Sequence, residues 1–456
     1  MRLTRLSLVL VALAALMVAA LAQEIQPQEG APVAATQATP MPAPFAGTSL
    51  AFIPELARTN YLDAGFSLGT TFDDNALSTS SDRVSDFGYS IFPNIDLRQS
   101  RGRLNWMLDY SGGFTINQRL SERNQGSHNL GFEAEYRLSP HVNLLLRDHF
   151  AMTTGLFSEF NQNENFSSAS VLQRPNQFVV TPLAKQDTNL GTAQVSYQFS
   201  ASSQVGASGT SYWSHYKDAP VGTELIDTDT QEAEGFYNHR LSARNLVGTT
   251  YRFQRLTFSP MENDTLVHSV LATYTFLIKP NVTLSVFAGP QHTNTNTQLT
   301  VPTIVLPLVY FISTPIQQQD WSTAAGGSFS WNGQRTSIVG SASRSVSDGG
   351  GVLGAVNLTS VDGSIRRQVS RNYAANFSVA YGDNQSISPT AAPYSSLKST
   401  FASLTLDRTF NNHLGLNLGY GRALQLERNI APGSTEVNHN RAWIAISYSF
   451  SRPLGR

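Results

Sequence analysis

From Tyr61 to Phe450 the chain alternates apolar residues with polar or small ones, in short runs separated by turn residues. Leu104, Trp106, Leu108, Tyr110, Phe114 and Ile116 fall on one face of such a run, and Asn105, Asp109, Ser111 and Asn117 on the other. A period of two predicts strands whose faces meet different surroundings. Eighteen segments of this kind are centred near residues 66, 91, 110, 133, 147, 194, 209, 236, 250, 272, 287, 327, 341, 361, 378, 404, 419 and 445. Connections after even-numbered segments are tight: Ser139-Pro140, Ala201-Ser202, Ser242-Ala243, Lys279-Pro280, Asn332-Gly333 and Asn411-Asn412. Those after odd-numbered segments include long ones: Gly155 to Asp187, Tyr216 to Asp229, His292 to Asp320 and Asp383 to Ser396. Alternation of short and long predicts an all-β fold, a transmembrane antiparallel β-barrel of about 18 strands with short periplasmic turns and long extracellular loops.

The ends of the chain agree with export. Arg2 and Arg5 precede an apolar stretch from Leu6 to Ala20, and Ala20-Leu21-Ala22 supplies a cleavage site, so residues 1–22 read as a signal peptide. Residues 23–58, rich in Ala, Pro and Gln, read as a periplasmic linker, 59–450 as the barrel and 451–456 as a short tail. The expected location is the outer membrane of a diderm bacterium, with its lipid as the surrounding solvent. No later run of 18 apolar residues exists, so no transmembrane helix is expected. Charged residues make up only 14% of the chain, with 31 basic against 32 acidic, which excludes a nucleic-acid-binding charge pattern. There is no cysteine, hence no disulfide, thiolate metal site or cysteine-linked lipid anchor.

Parity assigns the two faces. Inward positions carry Asp96, Arg98, Asp109, Glu133, Glu135, Arg137, Arg147, Glu232, Glu234, Arg240, Arg252, Arg366 and Asp407 among many Ser, Thr and Asn. Mixed charge with abundant hydroxyls suits neutral or weakly charged hydrophilic solutes. The same charges could also simply pair across strands. Outward, Trp321 and Trp331 are ten residues apart, matching an apolar band about 25 Å tall. With Trp106, Tyr373 and Tyr381 they form the expected aromatic girdles. Asp148 falls in the outward register of Leu144, Leu146 and Phe150, and a bulge or a slip toward the lumen is expected there. Arg408 is also outward, near a strand end where it reaches the headgroups. Trp443 is inward by parity, where it could stack on a sugar ring.

Catalytic signatures are absent in context. Gly65-Phe66-Ser67-Leu68-Gly69 fits G-x-S-x-G, but within a strand and with no helix after it. Gly349, Gly351 and Gly354 fit G-x-G-x-x-G in a strand connection without βαβ surroundings. The nine histidines show no metal-binding spacing. No catalytic residue, metal or cofactor is expected, and an outer-membrane hydrolase is the remote alternative. Val301 to Ile312 is an apolar piece within a long connection; it extends a hairpin, adds a strand pair or folds against a partner. Gly155 to Asp187 is expected to fold into the lumen, anchored by Phe157, Phe160, Phe166, Phe178 and Val179.

The last segment, Ile444 to Phe450, alternates large apolar residues and ends in Tyr448-Ser449-Phe450. It resembles the terminal signal read by the barrel assembly machinery, although six residues follow Phe450. A second resemblance lies between Leu68 and Gln118: Thr71-Phe72-Asp73-Asp74-Asn75, then Ser85-Asp86, then Phe92-Pro93-Asn94-Ile95, then the arginine-flanked Leu104 to Tyr110. This stretch resembles the beta-barrel porin type 2 family of outer-membrane proteins, which are often linked to exopolysaccharide secretion. The resemblance implies an outer-membrane pore for polysaccharide export, partnered by secretion components. A general diffusion porin is the second expectation, and a non-conducting anchor or adhesin barrel the third.

Overall fold

The computed structural model describes residues 60–121, 124–153, 179–180, 184–217, 225–260, 263–305, 308–387, 394–429 and 434–454. The residues read as signal peptide and linker, and Phe157, Phe160, Phe166 and Phe178, expected as loop anchors, lie outside them. The strands are β1 (Tyr61–Asp73), β2 (Asp86–Arg101), β3 (Leu104–Asn117), β4 (Gln125–Arg137), β5 (Val142–Thr153), β6 (Lys185–Ser200), β7 (Ser203–Lys217), β8 (Asp227–Arg240) and β9 (Asn245–Ser259). They continue as β10 (Asn263–Lys279), β11 (Val282–Val305), β12 (Leu308–Asn332), β13 (Thr336–Gly349), β14 (Leu353–Ser370), β15 (Tyr373–Ser386), β16 (Tyr394–Thr409), β17 (Leu414–Asn429) and β18 (Ser434–Pro453). Each strand pairs antiparallel with its neighbours in sequence, and β1 closes on β18, giving one 18-stranded barrel. Closure leaves no edge along that seam, as crossing lipid requires of a sheet. Among the described residues no helix is long and apolar enough to cross a membrane, which says nothing of a β-barrel.

Register reproduces the two faces. Phe66 stands opposite Tyr448 and Pro93, and Leu68 opposite Ile446 and Ile91, all on the outside with large exposed apolar surface. Arg408 lies outward opposite Tyr373, with its guanidinium over the rings of Phe410 and Tyr373 at 4.6 and 5.2 Å. The tight turns fall where the alternation puts them. The 292–320 connection is instead strand: β11 and β12 pair in register from Val282–Trp331 to Val305–Leu308, so the apolar piece extends a hairpin and adds no strand. At the carboxyl end β18 runs to Pro453, three residues beyond Phe450, so much of the segment read as a tail is strand.

Two features depart from a plain barrel. Pairing of β12 with β13 stops at Ala325–Arg344, although β12 begins at Leu308 and β13 runs on to Gly349. Beyond Arg344, β13 leaves the wall and turns inward. Val346 is buried and its amide meets the Gln291 side chain, which points inward from β11, at 3.4 Å. The turn after β13 reaches the far wall. The Tyr216 hydroxyl, from β7, donates to the Gly350 carbonyl at 3.2 Å, and the Ile226 amide, just before β8, donates to Gly351 at 2.8 Å. Gly350 and Gly351 have φ of 62° and 81°, so this turn favours glycine at both positions. The ribbon is buried on both faces. Val346 and Ala355 pack with Ile226, Leu256, Phe258, Val267 and Ile387, while Leu353, Val356 and Leu358 pack with Leu397, Phe401, Ala423 and Val437. Each fully buried side chain of this size contributes about 1.5–3 kcal/mol relative to exposure.

The second feature locks the seam. Asp73 pairs with His439, and Asp74 accepts hydrogen bonds from the Asn440 amide and side chain, both at 2.6 Å. Asn75, fully buried, donates to Thr79 and to the Asn438 carbonyl. Thus Asp73-Asp74-Asn75 fastens β1 to β18 at the loop end. Asp86 likewise accepts from the amides of Phe87, Arg119 and Leu120, tying the exit of β3 to the start of β2.

Candidate functional site

The inner face of the barrel is the candidate site. Strand pairing sets Asp96 opposite Asp109, Glu133 opposite Arg147, Glu234 opposite Arg252 and Asp407 opposite Asn417. Glu135, Arg137, Glu232, Arg240 and Arg366 share that inward parity, the last two near the short-turn ends. Most of these groups have local partners. Arg98 grips Asp96 with two donors, Nη2 to Oδ2 at 2.5 Å and Nε to Oδ1 at 3.0 Å. Arg147 meets Glu133 at 3.2 Å, Arg137 meets Glu135 at 3.8 Å and Arg252 meets Glu232 at 3.8 Å. Asn417 donates to Asp407 at 2.7 Å. Pairing of this kind leaves a wall that is polar but locally compensated, and it presents no single-sign field along the inner face.

Hydroxyls dominate the other side. Ser343 meets Ser360 at 2.9 Å, Ser378 meets Ser403 at 2.6 Å, and Ser341 donates to Asp362 at 2.5 Å. Trp443 is inward, opposite Gly419, and donates to Asn417 at 2.7 Å. Its ring lies where a Cβ on Gly419 would be, 2.0 Å away, so the glycine makes room for the indole. Asp63 and Asp362 also face inward and were missed by a sequence list that followed the most regular segments.

The inward β13–β14 ribbon narrows this lumen, and Val179 and Val180, which fall between β5 and β6 in the chain, are buried against β14–β18. The Gln425 side chain of β17 grips Val180 through its backbone, accepting from the amide at 2.7 Å and donating to the carbonyl at 3.0 Å. Of the anchors expected for the Gly155 to Asp187 connection, Val179 is described and buried, and the others lie outside the described residues. Sequence reasoning did not foresee the ribbon, because a buried strand inside the lumen has the same alternation as a strand in the wall.

The girdle residues Trp106, Trp321, Trp331, Tyr373 and Tyr381 all lie on the outward register. Trp321 is 71% exposed and packs on His292, with ring centroids 4.8 Å apart. Tyr448 and Phe450 are outward and exposed on β18. Asp148 departs from expectation. Pairing of β5 with β4 and β6 is continuous through it, opposite Phe132 and Gly191, with neither bulge nor slip. It lies exposed on the outer face, accepting from the Asn189 side chain at 3.1 Å. Ser67 of the G-x-S-x-G run sits mid-strand opposite Ser447. No cluster of His, Asp and Glu fit for a metal ion occurs among the described residues.

No protein-family model matches the chain, and no curated protein matches it. Solved outer-membrane barrels share its architecture at low identity. The outer membrane protein OpdK from Pseudomonas aeruginosa is 11% identical, with a TM-score of 0.39 over 86% of this chain and 99% of that one. OccAB4 of Acinetobacter baumannii is 8% identical, with a TM-score of 0.42 over 88% of this chain and 100% of that one. The ferric-catecholate import receptor Fiu from E. coli K12 is 9% identical, with a TM-score of 0.42 over 86% of this chain and 82% of that one. At these values no function transfers from those proteins, and the architecture stands on the strand register itself.

Proposed function

We propose that the protein is an outer-membrane pore that passes small hydrophilic solutes by diffusion. One observation carries this reading: a polar, charge-compensated inner face, narrowed by the β13–β14 ribbon and by Val179–Val180. Compensated charge and hydroxyls favour neutral or weakly charged solutes over ions of one sign. Polysaccharide export, implied by the resemblance of the Leu68 to Gln118 stretch, would need both inward elements to leave the lumen. The arrangement therefore favours a sieve for small molecules. Purified protein in liposomes should let mono- and disaccharides swell the vesicles and exclude longer oligosaccharides. Swelling no faster than in protein-free vesicles would overturn the proposal.

A further inference from the structure

β12 and β13 pair from Asn332–Ser337 to Ala325–Arg344 and then part, although both remain strand beyond that point. Continued in the same register, Thr323 would stand opposite Val346; instead the Val346 amide meets the Gln291 side chain on the inside of β11. The fork at Ala325 lies below Trp321 on β12, about 9 Å beneath the outer girdle at the usual rise and tilt of a barrel strand. The wall is therefore forked within the apolar band, and above Ala325 that flank of β12 has no paired strand among the described residues. Arg344 stands at the fork. It shares the outward parity of Ile338 and Ala342, is exposed, and has no hydrogen-bond or ion-pair partner among the described residues. By contrast the outward Arg255 and Lys398 pair with Asp264 and Asp383. A lone guanidinium at this depth is costly against acyl chains. Just behind it, Val346 opens the buried apolar cluster of Ile226, Leu256, Phe258, Val267, Ala355 and Ile387.

We infer that the fork between β12 and β13 is a lateral port, through which an amphiphile with one acyl chain and one carboxylate head group passes between the outer leaflet and the lumen. Resting on the outer-membrane reading, this port adds to the axial pore a second route for a different class of solute. A free strand edge at membrane depth leaves backbone amides that acyl chains cannot satisfy and a carboxylate can. Arg344 supplies a planar set of donors that matches the two oxygens of such a head group. Inside the fork the ribbon offers the tail apolar surface, Val346 first, where a sugar would find no partner. Entry asks the ribbon to lift from Gln291, whose contact with the Val346 amide is a long 3.4 Å. The charge and the apolar face thus lie in the order in which a head group and its tail would meet them.

The test uses full-length protein in phosphatidylcholine vesicles and palmitate carrying a photoreactive diazirine on its chain. Illumination should label the ribbon around Val346 and the facing Phe258, in competition with unlabelled palmitate but not with hexadecanol or glucose. Arg344→Gln should lower that labelling several-fold and Arg344→Lys, which keeps the charge, should retain most of it. Labelling of the outer wall at Ile91 should be equal in all three. The chain contains no cysteine, so a Thr323→Cys/Val346→Cys pair reports on the fork itself and should stay reduced under mild oxidant. If Arg344→Gln fails to insert, the hexadecanol competition and the cysteine pair decide. Near-complete disulfide formation, labelling confined to the outer wall, or ribbon labelling that Arg344→Gln leaves unchanged overturns the port and leaves the axial pore standing. So does ribbon labelling by a diazirine phosphatidylglycerol alone, which marks a resident bilayer lipid. Protein absent from the outer-membrane fraction overturns both.

Discussion

Asp74 holds two donors of Asn440 with its two carboxylate oxygens, each at 2.6 Å, across the strands that are first and last in the chain. Hydrogen bonds to a charged group contribute about 1.5–3 kcal/mol each, less where water competes. Asp74→Ala should therefore destabilise the closed barrel by about 2 kcal/mol. The measurement is the temperature at which the compact, heat-modifiable form is lost; an unchanged midpoint would show that the latch contributes nothing. At this scale the alternation made much of the molecule legible, since parity alone assigns Asp96, Arg98, Glu133, Arg147 and Trp443 to the inner face. It could not say which inward charges are paired, because partners lie on neighbouring strands with offsets set by the pairing. Asp148 was misread for a different reason. The expectation of a bulge assumed an outward carboxylate without a partner, whereas the Asn189 side chain on the neighbouring strand donates to Asp148 at 3.1 Å.

The β13–β14 ribbon is the element that distinguishes this lumen from an open channel. Its inward course is set by apolar residues on both faces, Val346 and Ala355 on one and Val356 and Leu358 on the other, and by the anchoring of its turn to Tyr216 and Ile226. Replacing Val346–Ala355 by a tight turn should remove this obstruction and raise single-channel conductance in planar bilayers several-fold. Gln425→Ala, which removes the grip on Val180, should raise it less. A truncated protein that inserts normally and conducts like the parent would show that ions pass elsewhere. Strand count and turn positions were readable from the sequence because each strand alternates and each short turn carries Ser, Asn, Gly or Pro. The ribbon was not, since leaving the wall after Arg344 changes the neighbours of a strand without changing its period. The Gly349–Gly354 cluster was its one local signal, a turn tighter than an exposed loop between divergent strands requires.

Across the barrel, every connection at the end that holds both termini is short, whereas the other end holds all the long connections together with short ones after β9, β11, β13 and β17. Epitope tags inserted within 218–224 or 388–392 should be reached by antibody on intact cells, and a tag at Asn411-Asn412 only after permeabilisation. The reverse pattern would invert the topology. The joining of β1 to β18 also has a consequence for biogenesis. These strands pair residue for residue from Tyr61–Pro453 to Asp73–Arg441, contacts between nearly opposite ends of the chain. Pairings so distant in sequence form slowly. A sheet that lacks its final strand has two open borders able to recruit stray strands. The barrel can therefore close only once β18 is in place, so the carboxyl-terminal strand sets the moment at which folding can finish.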